Sequence, residues 1–302
     1  MTQFTLTQLG YAAGARVNGL DLRKPLSQEV LVNLQNAWNQ NLVLVFPDQA
    51  LSPSELINFT KQFGEIERNE NVPYYRHPDF PEVLLVSNRP VNGKPSQTRN
   101  TGRNWHADLT YTSRPAKGSI LMCQEKPSVG GDTMFANLYM AYETLSPLLK
   151  TFIDNLEAVH DITLIKGFNK RDPDQIKEMT RLNPPIAHPV VPKHPETGKK
   201  MLFISERIRN FVGMSEEESR PFLDFLNRHA TTPEFVYRHH WNVNDVVMWD
   251  NRATLHIALA DFDQTQTRHM LRCSLLGEPS GYFLEQESQS AASMKSALAA
   301  VS

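Results

Sequence analysis

Apolar positions along the first part of the chain recur at helical spacing, interrupted by short continuous apolar runs. Ser27 opens a segment in which Val30, Leu31, Leu34 and Trp38 fall on one face, which predicts a helix over 27–38. LVLVF (42–46) follows as a buried strand. The next helix carries its own start signal. Ser52 and Glu55 have capping-box spacing, Pro53 takes the first helical position, Leu56, Phe59 and Phe63 share a face, and Gly64 closes it. VLLVS (83–87) is a further strand, and residues 89–104 have no apolar period and many turn formers, which predicts a long loop suited to a lid.

From residue 105 the pattern changes to β. WHADLTY (105–111) alternates, GSILMCQ (118–124) is apolar, and SVGGDTMFA (128–136) places a Gly130-Gly131 turn before a short strand. Ser146 and Pro147 start a helix with Leu148, Leu149, Phe152, Ile153 and Leu156 on its apolar side. Residues 165–187 are polar and broken by proline, a second loop and lid candidate. A hairpin is expected around Glu196-Thr197-Gly198, and Ser215 with Glu218 caps a helix to about Ala230, with Pro221 in its early part. EFVYRHHW (234–241), DVVMWD (245–250) and RHMLRCSLLG (268–277) close the pattern as strands. The expected class is α+β, mainly β, with one domain over 1–283 and a Ser/Ala-rich tail over 284–302.

Composition narrows what such a chain does. With 302 residues, 40% of them hydrophobic, it can bury a large core. Its 31 Lys and Arg nearly balance 33 Asp and Glu, so there is no field to gather polyanions, and no nucleic-acid partner is expected. No apolar run approaches the ~18 residues that span a bilayer, and the start lacks a signal-peptide pattern, so no membrane partner and a cytoplasmic location are expected. Cys123 and Cys273 are too few for a disulfide scaffold and read as core thiols.

Phosphate-cradling, zinc-protease and nucleophile-elbow motifs are absent from the sequence. What remains is His106-Ala107-Asp108. On a strand, residues two apart point to one side, so one imidazole and one carboxylate can grip a single ion. A lone pair of this kind also occurs as an ordinary surface or capping contact. His256 follows the DVVMWD strand between apolar neighbours, and Arg268 and Arg272 lie four apart on the last strand, on one face, about 13 Å along extended chain. Both faces of that strand are apolar. Two buried guanidinia invite anionic ligands unless acids such as Asp261 and Asp263 satisfy them. The remaining histidines, His77, His160, His188, His194, His229, His239, His240 and His269, read as structural or surface residues.

The order HADLTY, GGDT, WDNR, then His256, Arg268 and Arg272, resembles the TauD/TfdA (taurine dioxygenase) family of Fe(II)- and 2-oxoglutarate-dependent dioxygenases. FPDQ, FGEI, PSVGGDTMFANLYMAYETLSP, HPETGKK and LFIS resemble it too, so the likeness covers most of the chain. The resemblance implies a double-stranded β-helix, or jelly roll, with flanking helices. It implies that His106, Asp108 and His256 bind Fe(II), that Arg268 and Thr133 hold the distal carboxylate of 2-oxoglutarate, and that O2 is consumed. Trp249, Asp250 and Asn251 then shape the turn that carries His256. It implies that Arg272 faces the acidic group of the primary substrate or the co-substrate carboxylate, with Gly102 and Leu109 on the substrate side of the first ligand pair. Gly102 stands where taurine-specific members carry a polar residue, so a small anionic organic substrate other than taurine is expected: a sulfonate, a sulfate ester or a carboxylate. A homo-oligomer is also implied. A metal-dependent hydrolase on the same triad, or a silent binding protein of the same fold, remains open on the residues alone.

Overall fold

The computed structural model describes residues 4–70, 72–90, 96 and 102–284. In chain order, β1 (Thr5–Gln8) and β2 (Ala15–Asn18) lead through α1 (Gln28–Asn41) to β3 (Val43–Phe46), and α2 (Pro53–Lys61) leads to β4 (Leu84–Ser87). Then come β5 (Ala116–Glu125), β6 (Thr133–Asn137), α3 (Leu138–Glu143), α4 (Pro147–Ile153), β7 (Glu157–His160), α5 (Pro173–Leu182) and β8 (Ile186–Pro189). The remainder is β9 (Ile208–Phe211), α6 (Glu216–Ala230), β10 (Val236–His239), β11 (Val246–Asp250), β12 (Thr254–Ala258), β13 (His269–Leu276) and β14 (Tyr282–Phe283).

The helix starts follow the sequence closely. Ser27 accepts from the Val30 N–H, and both Ser52/Glu55 and Ser215/Glu218 form reciprocal capping boxes. Three sheets result: a large one in the order β1-β2-β3-β11-β5-β13-β4, a small one β10-β6-β12, and a third β14-β8-β7-β9.

Strand alternation sorts the core into two layers. From β5, β11 and β13, Ile120, Met122, Val246, Met248, Leu271 and Cys273 face α1 and α2, where Trp38, Leu34, Leu56 and Phe59 meet them. On the other side, Leu121, Cys123, Val247, Trp249 and Met270 pack against Phe135, Leu255 and Tyr237 of the small sheet. The interior between the large and small sheets is therefore the face onto which Arg272, two residues from Met270, projects. Both cysteines are buried and free, as expected. No helix among the described residues is long and apolar enough to cross a membrane.

Several expectations fail for identifiable reasons. WHADLTY is not a strand: His106 makes one isolated antiparallel bridge to His256, and the chain turns at once, with Thr112 N–H on the Leu109 carbonyl and Leu109 at φ +57°. Its alternation is local, because a side chain and not a neighbouring strand takes up the Asp108 peptide. The 165–187 stretch contains α5, capped by Asp172; only Met179 on it is fully buried, so its apolar period is thin. The hairpin around Glu196 shrinks to a single bridge between Lys193 and Lys200. α4 turns Leu148 and Phe152 outward and buries Ile153. β12, which carries His256, is a strand the sequence pattern does not announce. The 284–302 tail beyond residue 284, and most of the 89–104 loop, lie outside the described residues.

Gly118 marks how tightly the large sheet is packed. A methyl group there meets the Trp38 ring at 2.4 Å and the Trp249 carbonyl at 2.8 Å. Gly118→Ala is expected to lower unfolding free energy by about 1–3 kcal/mol in chemical denaturation.

Candidate active site

The site is built where β12 leaves the β11 turn and meets the segment before β5. Asp250 fixes that turn: its carboxylate accepts from the backbone N–H and Nε of Arg252, from Arg252 Nη2 at 2.6 Å and from His194 Nε2 at 2.9 Å, and its carbonyl accepts from the Thr254 hydroxyl. Burial pushes the Asp250 acid up, yet Arg252 and His194 outweigh it and hold the group ionised. His194 is thus a structural histidine, as expected. Asn251, fully buried, reaches across to the other chain segment. Its Oδ1 accepts from the Asp108 N–H at 2.7 Å, and its Nδ2 donates to the Asp108 carbonyl at 2.9 Å and to the Ala116 carbonyl at 3.1 Å. One amide therefore does for Asp108 what a paired strand does elsewhere.

His106, Asp108 and His256 come together as expected, each buried, with one potential ligand atom from each within 4.8 Å of the others. Nε2 of His106 and of His256 each lie 3.8 Å from an Asp108 oxygen. His106 Nδ1 sits 2.8 Å from the Asn104 carbonyl, which fixes the ring with Nε2 turned to the cluster. The His256 ring is held between Trp249, at 4.9 Å, and Phe135, at 6.3 Å. Ser119 Oγ donates to Asp108 Oδ2 at 3.0 Å.

Burial pushes both imidazoles down, His256 to about 4, with Arg207 adding to the effect at each. Burial alone raises the Asp108 acid, but Arg272, the two histidines and Arg207 together hold it far below the usual carboxylate range. At neutral pH the cluster therefore offers two imidazole lone pairs and one anionic oxygen. That donor set suits a first-row divalent metal, and three ligands leave further coordination positions open.

Arg268 is buried beside the cluster. Its Nε donates to the Gly131 carbonyl at 2.8 Å and its Nη2 to Thr133 Oγ1 at 3.2 Å, while Trp241 Nε1 also donates to Thr133 Oγ1, at 3.0 Å. Among the described residues no carboxylate forms an ion pair with Arg268, and burial draws it down to about 10. Neither aspartate suggested by the sequence satisfies the two arginines: Asp261 pairs with Arg238 and Asp263 caps Thr265. Arg272, expected without a matching acid, does have one. Its Nη1 donates to Asp108 Oδ1 at 2.7 Å.

Gly102 adjoins the site. It has φ +75°, its carbonyl accepts from the Ala258 N–H, and a methyl group on it falls 3.3 Å from His106 Cε1. Leu109 is buried with Tyr75, Tyr111, Ile162, Phe168 and Met179 in a third apolar cluster that flanks the Asp108 turn.

Sequence reasoning misses Ser119, Trp241 and Arg207. Arg207 precedes β9, lies 5% exposed, and its Nη1 donates to the Ala107 carbonyl at 3.2 Å, directly between the two ligands of the HAD segment. Nothing in LFISERI marks it. His160 is a structural histidine packed against His188 and Phe203, with both ring nitrogens buried and without a hydrogen-bond partner.

These features define a mononuclear N,N,O metal site with a buried cation alongside. The family model for taurine catabolism dioxygenase TauD, TfdA family, matches residues 5–274, and the chain belongs to that family. It is 33% identical over 280 residues to the alpha-ketoglutarate-dependent 2,4-dichlorophenoxyacetate dioxygenase of Cupriavidus pinatubonensis, covering 89% of this chain and 95% of the relative. It is 34% identical over 283 residues to an alkylsulfatase of Acinetobacter baylyi, covering 91% and 86%. A crystal structure of AAD-2 with Mn(II) and N-oxalylglycine superposes with a TM-score of 0.85 at 32% identity, over 93% of this chain and all of that one.

Asn251→Ala is expected to weaken Fe(II) binding about 10- to 100-fold in anaerobic equilibrium dialysis, because Asp108 loses the amide that aims it.

Proposed function

We propose that this protein is an Fe(II)- and 2-oxoglutarate-dependent dioxygenase that hydroxylates a small anionic organic substrate. The observation that carries the reading is the pairing of the His106/Asp108/His256 cluster with Arg268, a buried guanidinium that no described carboxylate satisfies. A hydrolytic metal site needs the first feature and has no use for the second. The activities named for the relatives, on a phenoxyacetate and, by name, on an alkyl sulfate, agree in requiring an organic acid as substrate. We read the large and small sheets as the two halves of a double-stranded β-helix, with the site between them.

In this reading His106 Nε2, an Asp108 oxygen and His256 Nε2 would hold Fe(II). Bound iron, with 2-oxoglutarate and O2, supplies oxidative decarboxylation of the keto acid to succinate and CO2 and hydroxylation of a substrate C–H bond. The protein's own residues position the reactants. Arg268 presents a planar fork to the distal carboxylate, and Thr133, whose oxygen already accepts from Arg268 and Trp241, has its proton free to donate to the same group. Asn251 and Ser119 fix Asp108, and Trp249 and Phe135 fix the His256 ring. Arg272 faces the acid group of the substrate, Gly102 and Leu109 lie along its path, and the segment containing α5 covers it and excludes water.

The test is to add Fe(II) and then 2-oxoglutarate to the protein without oxygen and record the visible metal-to-ligand charge-transfer band. The band is expected in the natural protein, and Arg268→Ala is expected to raise the 2-oxoglutarate dissociation constant about 10- to 100-fold with Fe(II) binding retained. Absence of the band from folded, iron-loaded protein overturns the reading in favour of a non-oxidative metal site. Arg272→Ala is expected to weaken the response of that band to organic acids far more than it weakens Fe(II) binding, and equal loss of both removes Arg272 from the substrate.

A further inference from the structure

The apolar side expected of α4 does not enter the core. Leu148 and Phe152, one helical turn apart, face outward, and the Phe152 ring lies against Phe222 of α6 with centroids 5.0 Å apart. Phe225 follows Phe222 by three positions, so the two are neighbours on the surface of α6. Leu148, Phe152, Phe222 and Phe225 make one continuous apolar row across the two helices, each between 38% and 81% exposed. α6 is anchored to the protein through a different side, where Ser219, Leu223, Leu226 and Ala230 are buried. Single exposed apolar residues are ordinary, but a contiguous row of large ones marks a contact surface.

The charges of α6 indicate what covers the row. Its first turn is acidic, with Glu216, Glu217 and Glu218, and its last turn carries Arg228 and His229. Glu218 is used within the helix, in the capping box with Ser215. Glu217 and Arg228 are exposed and have no ion pair among the described residues. At about 3.6 residues per turn, Glu217 and Arg228 fall on one side of the solvent-facing stripe, and Phe222 and Phe225 on the other. The midpoint of the charged pair and the midpoint of the aromatic pair lie one position apart in the chain, about 1.5 Å along the helix axis.

A two-fold axis through that centre, perpendicular to the helix, lays α6 antiparallel on the α6 of a second copy. It sets Glu217 against the partner's Arg228 and Arg228 against the partner's Glu217, joins Phe222 to the partner's Phe225, and keeps the charged side apart from the aromatic one. The two helix dipoles then oppose each other as well. A foreign protein has no need of a surface whose charges reverse about its own aromatic centre, whereas a self-complementary contact requires one. We propose that the α4–α6 face is an isologous dimer interface, with the four apolar side chains at its centre and two Glu217–Arg228 pairs at its rim. This arrangement does not depend on the reaction proposed above.

Sedimentation velocity of the full chain over a range of concentrations tests the interface. The natural protein is expected to form a dimer. Phe225→Glu, which puts a charge in the apolar centre, is expected to raise the dimer dissociation constant at least about tenfold, with circular dichroism unchanged because the side chain is exposed. Glu217→Arg and Arg228→Glu, made singly, are each expected to weaken the dimer about three- to tenfold, because each sets like charges against each other at both ends. The double variant Glu217→Arg/Arg228→Glu is expected to recover most of the loss. An equimolar mixture of the two single variants is expected to do the same, since a heterodimer of them has opposite charges at both pairs. The charge variants leave the core untouched and carry the test where Phe225→Glu loses its fold.

A protein that is monomeric at every concentration overturns the proposal and leaves the row to another occupant, residues 285–302 of this chain or a foreign protein. A dimer that folded Phe225→Glu leaves intact overturns this face as the interface. Single charge variants without effect, or losses that neither the double variant nor the mixture recovers, overturn the antiparallel pairing. None of these outcomes bears on the charge-transfer band, so the dioxygenase reading stands or falls separately.

Discussion

The carboxylate of Asp108 is the point on which the site is organised. It is buried, ionised, and engaged on both oxygens, by Arg272 on one and Ser119 on the other, with an imidazole 3.8 Å from each. A buried charge in that position is tolerable only because cations and donors surround it. Its backbone is equally constrained, since the Asn251 amide takes both its N–H and its carbonyl. Asn251 in turn depends on the turn built by Asp250, Arg252 and His194. The metal-binding geometry is thus set by a chain of polar contacts that runs from β11 to a segment more than a hundred residues earlier, and the apolar layers on either side keep water from competing with it.

Much of the fold is legible because its signals are local. Capping boxes at Ser52 and Ser215 and the apolar runs of β3, β5, β11 and β13 need no tertiary information. Where local signals mislead, the cause is a long-range partner. HADLTY alternates like a strand, yet its hydrogen bonds go to Asn251 and its chain turns at Leu109. α5 hides because it buries a single residue completely, leaving Asp172 and Pro173 as its main marks.

The site divides in the same way. The ligands and Arg268 sit in recognisable sequence surroundings, and the structure brings them together. Arg207 and Trp241 have no such surroundings; each matters only for what lies opposite it in space, which sequence order does not disclose. The pairing of Arg272 with Asp108 belongs to the same category, a contact across 164 positions that no spacing rule anticipates.

Thr133 shows how a single hydroxyl can be given a direction. A threonine oxygen has two lone pairs and one hydrogen. Here Arg268 and Trp241 occupy both lone pairs, so the hydrogen alone is left to face the pocket. On the proposed reading, the side chains that meet the co-substrate there, Arg268 and Thr133, both offer donors. A dicarboxylate arriving there finds matching polarity without any group having to reorient, whereas an analogue ending in an ammonium, which has no acceptor, meets hydrogen facing hydrogen. Selection among keto acids at this end is set by that polarity as well as by size.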